Sequence, residues 1–114
     1  RDLRMSRGLG DVYKRQLVPT KAAINLCREC HIPYWVGSMV ESGISKMLHA
    51  QLAALGDSYM PGDLSDSNRY FERDLIYPDL TFKDGVMHVP DGDGLGVTVF
   101  DDRLEAYCVE KRTL

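Results

Sequence analysis

The sequence predicts an α/β fold in which a parallel sheet or barrel is followed by a small antiparallel part. Two observations support this prediction. Helix-like and strand-like segments alternate between residues 17 and 60, which is typical of parallel α/β architectures. After residue 80, short strand-like segments flank Asp84-Gly85, a dipeptide that favours a tight hairpin turn because both turn positions need positive φ.

The parallel part is expected to begin with a helix and a short strand. Thr20 is the expected N-cap of the helix, which should end near His31 because Pro33 disfavours helical geometry at the residue before it. Tyr34–Val36 is a short, continuous apolar run. Such runs are typical of parallel strands that are buried on both faces.

A second helix is expected to begin at Glu41 or Ser42 and to stop at Gly56. Its apolar stripe, at helical spacing, consists of Ile44, Met47, Leu48, Leu52 and Leu55. Ser58–Met60 is the second expected strand, and it ends at a Pro-Gly turn.

The antiparallel part is expected to contain the hairpin Leu80–Lys83 and Val86–Val89, followed by a strand at Val97–Phe100. Asp101 is the expected cap of a short final helix. The inward-facing residues of this helix are expected to be Leu104, Tyr107 and Cys108. The tail Val109–Leu114 is expected to be a last strand or a frayed end.

Composition excludes several classes of protein. The 114-residue chain carries a net charge of −3 without a basic stripe, so a nucleic-acid partner is not expected. It has no apolar run long enough to span a membrane and no export signal at its start. Three cysteines, an odd number, then indicate the reducing cytoplasm rather than a disulfide scaffold.

The first sixteen residues differ from the rest. Arg1–Gln16 holds five of the fourteen basic residues and has no apolar period. Its sequence RDLRMSRGLGDVYKRQ resembles the translated read-through of a transposon-based sequencing adaptor. We therefore expect residues 1–16 to be non-native and disordered, and the gene-encoded part to begin inside a longer open reading frame. Without them, residues 17–114 carry a net charge of −6.

The stretch Ile32–Ile44, IPYWVGSMVESGI, is the most informative part of the chain. It predicts a strand end, a Gly-Ser turn and a helix start, and the N–H groups around Ser38 and Met39 could there hold a carboxylate. The alternative is a tight βα turn without a ligand. The acidic residues of the following loop, Asp63, Asp66, Glu72 and Asp74, are typical of a solvated turn.

Cys27–His31, CRECH, matches the CxxCH signature of covalent haem attachment. Cys27 falls on the apolar face of the first helix, so packing is the preferred interpretation. A small haem or electron-transfer module remains one alternative function for this chain. A binding domain without catalysis is the other.

Three segments in order, Ile32–Ile44, Leu55–Ile76 and Leu80–Val97, resemble the C-terminal end of one group in the enolase superfamily. The group comprises o-succinylbenzoate synthases and N-acylamino acid racemases. The resemblance implies a TIM-type (β/α) barrel with a capping domain. Residues 17–68 would then supply the last two strands and helices of the barrel, and residues 69–114 a segment of the cap.

The resemblance also implies site residues. Gly37, Ser38, Met39 and Val40 would bind the substrate, with Glu41 and Asp63 in supporting positions. The family binds Mg²⁺ through three carboxylates and moves protons with two lysines. All of these would precede Leu17, so no catalytic residue and no metal ligand is expected in this chain.

The implied parent is a Mg²⁺-dependent cytoplasmic lyase or isomerase that abstracts the proton α to a carboxylate. It would form o-succinylbenzoate for menaquinone synthesis, racemise N-acylamino acids, or do both. Its expected partner is a small-molecule carboxylate, without nucleic acid or membrane, and it is expected to be a homo-oligomer. The truncated chain alone is expected to be inactive.

Overall fold

The computed structural model describes residues 17–56 and 61–112. Its elements in chain order are helix α1 (Leu17–Glu29), helix α2 (Gly43–Ala53), a 3₁₀ turn (Ser67–Arg69), strands β1 (Ile76–Tyr77), β2 (Phe82–Lys83), β3 (Val86–Met87) and β4 (Thr98–Val99), and helix α3 (Asp101–Ala106). The predictions for residues 1–16, for the strand Ser58–Met60 and for the last two residues lie outside the described residues. The α/β content is confirmed.

Both long helices form close to the predicted positions. α1 already includes Leu17, so Thr20 lies inside the helix and the predicted N-cap is wrong. The helix ends at Glu29, and His31 has a φ of 54°, which takes the chain out of helical geometry near the predicted stop. α2 follows its N-cap Ser42, and a φ of 82° at Gly56 turns the chain beyond the helix.

The predicted buried strand Tyr34–Val36 is not formed. The chain pairs only at the next residue, Gly37, which makes one parallel bridge with Asp63. Trp35 is 54% exposed. Burial of a parallel strand requires neighbours on both edges and cover on both faces. Within residues 17–56 and 61–112, the only strand partner at this point is Asp63.

The hairpin is confirmed: β2 pairs antiparallel with β3 across Asp84 and Gly85, whose φ angles are 52° and 78°. β4 lies inside the predicted strand Val97–Phe100 and pairs antiparallel with β1, a strand that the sequence did not predict. The antiparallel part therefore consists of two separate two-stranded ladders.

The final helix forms, but its expected details are wrong. Phe100 is the N-cap, and Asp101 is the first helical residue. The residues predicted to face inward are exposed: Leu104, Tyr107 and Cys108. Arg103 makes the inward contact instead, because its Nη1 donates a 2.6 Å hydrogen bond to the Asp74 carbonyl oxygen and its guanidinium stacks 4.2 Å from the Phe100 ring centre. Residues 109–112 contain no strand.

The core lies between α2 and the antiparallel strands. Its fully buried centre comprises Met47, Ile76 and Leu80. Half-buried apolar residues surround it: Ile44, Met87, Val89, Leu95 and Val97. The core thus draws residues from both sides of position 68, and this packing holds the start of α2 against the β1 strand. No helix among the described residues has the length and apolar character to cross a membrane.

Candidate functional site

Two chain segments run side by side where the first predicted strand ends. The Asp63 N–H donates to the Val36 carbonyl oxygen over 3.0 Å, and the Ser38 N–H donates to the Asp63 carbonyl oxygen over 2.9 Å. Gly37 lies opposite Asp63 in this parallel bridge. Gly62 permits the close approach, because a Cβ there would lie 3.0 Å from the Val36 oxygen. The bridge fixes the start of the turn that follows.

The turn, defined as Ser38–Glu41, presents backbone donors in front of α2. Met39 and Val40 are 67% and 69% exposed. In the described parts of the chain, their N–H groups have no hydrogen-bond acceptor, whereas the Ser38 N–H is already bonded to Asp63. Donors that lie just before a helix N-terminus favour an anion. The N–H groups available to a ligand are therefore those of Met39 and Val40.

The last residue of the turn contacts α2 through its side chain. His49 Nδ1 lies 3.0 Å from Glu41 Oε2, and the two side chains are 23% and 21% exposed. The atoms have the separation of a hydrogen bond without its alignment. The contact places an imidazole of α2 beside the only carboxylate of the turn.

Asp74, in the loop just before β1, holds the N-terminus of α2 through its carboxylate. Its Oδ1 accepts hydrogen bonds from the Gly43 N–H at 2.8 Å and the Leu75 N–H at 2.7 Å. The carboxylate is 2% exposed. Gly43 is required at this junction because a Cβ would lie 2.7 Å from Asp74 Oδ2 and 2.5 Å from Ile76 Cγ1. Asp74 therefore does what a helix-capping side chain usually does, from outside the helix.

Lys46 is buried beneath the same junction. Its Nζ donates a 3.0 Å hydrogen bond to the Asp66 carbonyl oxygen and lies 4.9 Å from the Tyr70 ring centre. Burial lowers the pKa of the Lys46 ammonium, while the carboxylates of Asp74, Asp66 and Glu41 oppose this shift. These neighbours stabilise the buried ammonium group of Lys46. The side chain is too enclosed to contact a substrate.

The acidic loop is solvated, as its composition predicts, at the exposed residues Asp63 and Glu72, but not at Asp66 and Asp74. Asp74 is buried, and half-buried Asp66 accepts a 2.7 Å hydrogen bond from the Phe82 N–H through its Oδ1. Both carboxylates hold backbone groups of distant segments. The loop connects the turn region to the antiparallel strands.

An apolar groove of about 650 Å³ lies between α1, residues 34–37 and α2. Cys27, Trp35 and His49 are among the residues that line it. Cys30 and His31, the rest of the CxxCH signature, are exposed at the end of α1. Cys27 is half-buried and lines the groove together with apolar side chains.

Within residues 17–56 and 61–112, no three His, Cys, Asp or Glu side chains lie close enough together to hold a metal ion. The donors of the turn are N–H groups, which bind anions and not cations. The Mg²⁺ ligands that the resemblance implies would precede Leu17 and lie outside these residues. The chemistry this site can supply is the binding of a negatively charged group.

The helices, the parallel bridge and the turn belong to an α/β domain. Residues 17–103 match the family described as enolase C-terminal domain-like, and the chain belongs to that family. The predicted membership in the enolase superfamily is confirmed.

Two of the relatives that this chain is similar to are named as enzymes. The chain is 40% identical over 83 residues to the o-succinylbenzoate synthase of Bacillus subtilis (strain 168), covering 73% of this chain and 22% of the relative. It is 42% identical over 89 residues to the N-succinylamino acid racemase of Thermus thermophilus, covering 78% of this chain and 23% of the relative. The chain spans about a fifth of the length of these relatives.

A solved structure gives the same fold. The crystal structure of an enolase superfamily member from Enterococcus faecalis V583 superposes with a TM-score of 0.67 at 37% identity. The match covers 73% of this chain and 22% of that chain. At this level of identity the likeness extends to sequence as well as to backbone.

Proposed function

We propose that residues 17–112 form part of an enzyme that removes the proton α to a carboxylate, of the o-succinylbenzoate synthase and N-acylamino acid racemase type. One observation carries the proposal. The turn after Gly37 presents the N–H groups of Met39 and Val40, which have no acceptor in the described chain, directly after the parallel bridge between Gly37 and Asp63. In (β/α) barrels, ligands bind at the carboxyl ends of the strands. The names of the relatives supply the reaction type.

In this proposal the turn binds and orients the substrate carboxylate. The N–H groups of Met39 and Val40 donate to it, and Gly37 and Ser38 lie beside it. Asp63 and Glu41 hold the two ends of the turn through the contacts given above. Backbone donors can bind a carboxylate without a cationic side chain. The groups that move the proton would lie outside residues 17–112.

The enzyme would work with Mg²⁺ held by residues outside this chain. Its partner would be a small-molecule carboxylate, and neither nucleic acid nor membrane is proposed. We place the enzyme in the cytoplasm as a homo-oligomer. All three cysteines are unpaired in the structure, which fits a reducing compartment.

A hybrid enzyme tests the function. In this hybrid, the matching 89-residue stretch of the Thermus thermophilus N-succinylamino acid racemase is replaced by the corresponding residues of this chain. We expect the purified hybrid to fold and to retain racemase activity, synthase activity or both, because the inserted residues of this chain supply an equivalent carboxylate-binding turn. Both reactions are assayed beside the unmodified racemase. A hybrid that melts cooperatively but catalyses neither reaction would contradict the proposal.

A charge placed in the turn tests its role. We expect Ser38→Asp in the hybrid to lower kcat/KM by about 100-fold, because two carboxylates in direct proximity repel each other by several kcal/mol. Ser38→Asn has nearly the same shape without the charge and should lower kcat/KM by less than about tenfold. Steady-state kinetics on both variants decide the matter. Equal effects of the two substitutions would show that the substrate carboxylate does not lie at this turn.

A further inference from the structure

We propose that His49 is a positioning residue, which holds Glu41 and thereby keeps the Ser38–Glu41 turn in the shape that binds the substrate carboxylate. This inference rests on the proposed function of the turn. His49 lies on α2, outside the turn, and it is not one of the site residues that the sequence predicts.

The contact between His49 and Glu41 joins two polar atoms that are close together and shielded from solvent. His49 Nδ1 and Glu41 Oε2 are 3.0 Å apart, and both atoms are shielded from solvent. Neither atom has a hydrogen-bond partner elsewhere in the described chain. A buried polar atom without a partner costs free energy. A hydrogen bond between His49 and Glu41 would lower this cost for both side chains.

Helical geometry alone does not produce this contact. Eight residues separate Glu41 from His49, about 12 Å along an ideal α-helix. The N-cap Ser42 has an extended backbone, with φ −71° and ψ 163°. This conformation lets Glu41 leave the helix axis and lie beside α2. The side chain of His49, which tilts towards the helix N-terminus, can then meet it.

The turn has few other restraints between its ends. Its start is fixed by the Ser38 N–H on Asp63, and the chain beyond it by the Gly43 N–H on Asp74. Met39 and Val40, between these points, are mostly exposed and cannot hold the turn by packing. Loss of the Glu41 contact should therefore let the turn sample more conformations. Substrate binding would then have to order the turn, at a cost in affinity.

The test uses the hybrid enzyme and two substitutions of one residue. His49→Leu removes the ring nitrogen. We expect it to raise KM by about fivefold to tenfold while kcat changes by less than about twofold, because binding of the substrate and of the transition state would be weakened equally. His49→Asn keeps an amide N–H close to the position of Nδ1. It should restore KM to within about twofold of the parent hybrid.

A double-mutant cycle tests whether His49 acts through Glu41. We expect Glu41→Met, which has a similar length but no carboxylate or amide oxygen, to raise KM as His49→Leu does. The double variant should be no worse than either single variant, because both remove the same contact. Thermal melting of all variants provides a reading of folding that is independent of KM.

Three results would overturn the inference. One is an unchanged KM in His49→Leu. Another is equal damage in His49→Leu and His49→Asn, including loss of folding in both, which would make the ring a packing element only. The third is full additivity in the cycle. Failure of the proposed function is distinguishable from all three, because the parent hybrid would then be inactive before any substitution.

Discussion

Residues 17–114 produced on their own are expected to associate, to melt without a cooperative transition and to catalyse neither reaction. The fully buried apolar centre of the structure consists of Met47, Ile76 and Leu80. Large apolar side chains elsewhere in the described chain remain exposed, among them Trp35 at 54% and Val40 at 69%. A core this small offsets little of the chain entropy that folding costs, and exposed apolar surface favours association.

Size-exclusion chromatography with light scattering measures the association, and circular dichroism during heating measures the transition. The hybrid enzyme is the matched control, since it carries the same residues joined to the rest of the racemase chain. We expect the hybrid to melt in one cooperative step. A monomeric 17–114 chain with a sharp transition would contradict the expectation and would show that the described core is sufficient.

The features that could be predicted from sequence are those with local causes. The Asp84-Gly85 hairpin depends on the φ angles of two adjacent residues, which their side chains favour directly. α2 is fixed by an apolar stripe and by Gly56, all within one short segment. The position of the turn after Gly37 followed from the change of pattern at that residue.

The features that could not be predicted depend on distant partners. β1 forms because β4, more than twenty residues later, lies against it. Whether Trp35 is buried or exposed depends on which distant residues cover it, and the apolar run Tyr34–Val36 contains no information about them. The sequence places His49 in a helix, but no sequence pattern indicates that its ring contacts Glu41.

Asp74 shows the same limit most clearly. The acidic loop has the composition of a solvated turn, yet this carboxylate is buried and holds a backbone N–H that lies 31 residues earlier. No signal in the sequence pointed to this role, because Ser42 in the N-cap position is a favoured capping residue, yet in the structure it makes no side-chain capping bond to α2. A helix N-terminus without such a bond needs an acceptor from elsewhere. The sequence does not say which acidic residue provides it.

Asp74→Ala is expected to be the most destabilising single substitution among those considered, at about 3 kcal/mol in the hybrid enzyme. The substitution leaves the N–H groups of Gly43 and Leu75 buried without their acceptor. It also removes the charge that most strongly opposes the effect of burial on the Lys46 pKa. The free energy of unfolding is read from guanidinium midpoints, compared between variants of the same hybrid.

Two further variants separate the causes. Asp74→Asn keeps an acceptor for the Gly43 N–H but loses the charge, and it should cost about 1–2 kcal/mol. Asp79→Ala, at an exposed position between β1 and β2, should stay within about 0.5 kcal/mol of the parent. If Asp74→Ala were as mild as Asp79→Ala, the junction between α2 and β1 would not depend on this carboxylate. If Asp74→Asn were as damaging as Asp74→Ala, the charge near Lys46 would outweigh the hydrogen bond to Gly43.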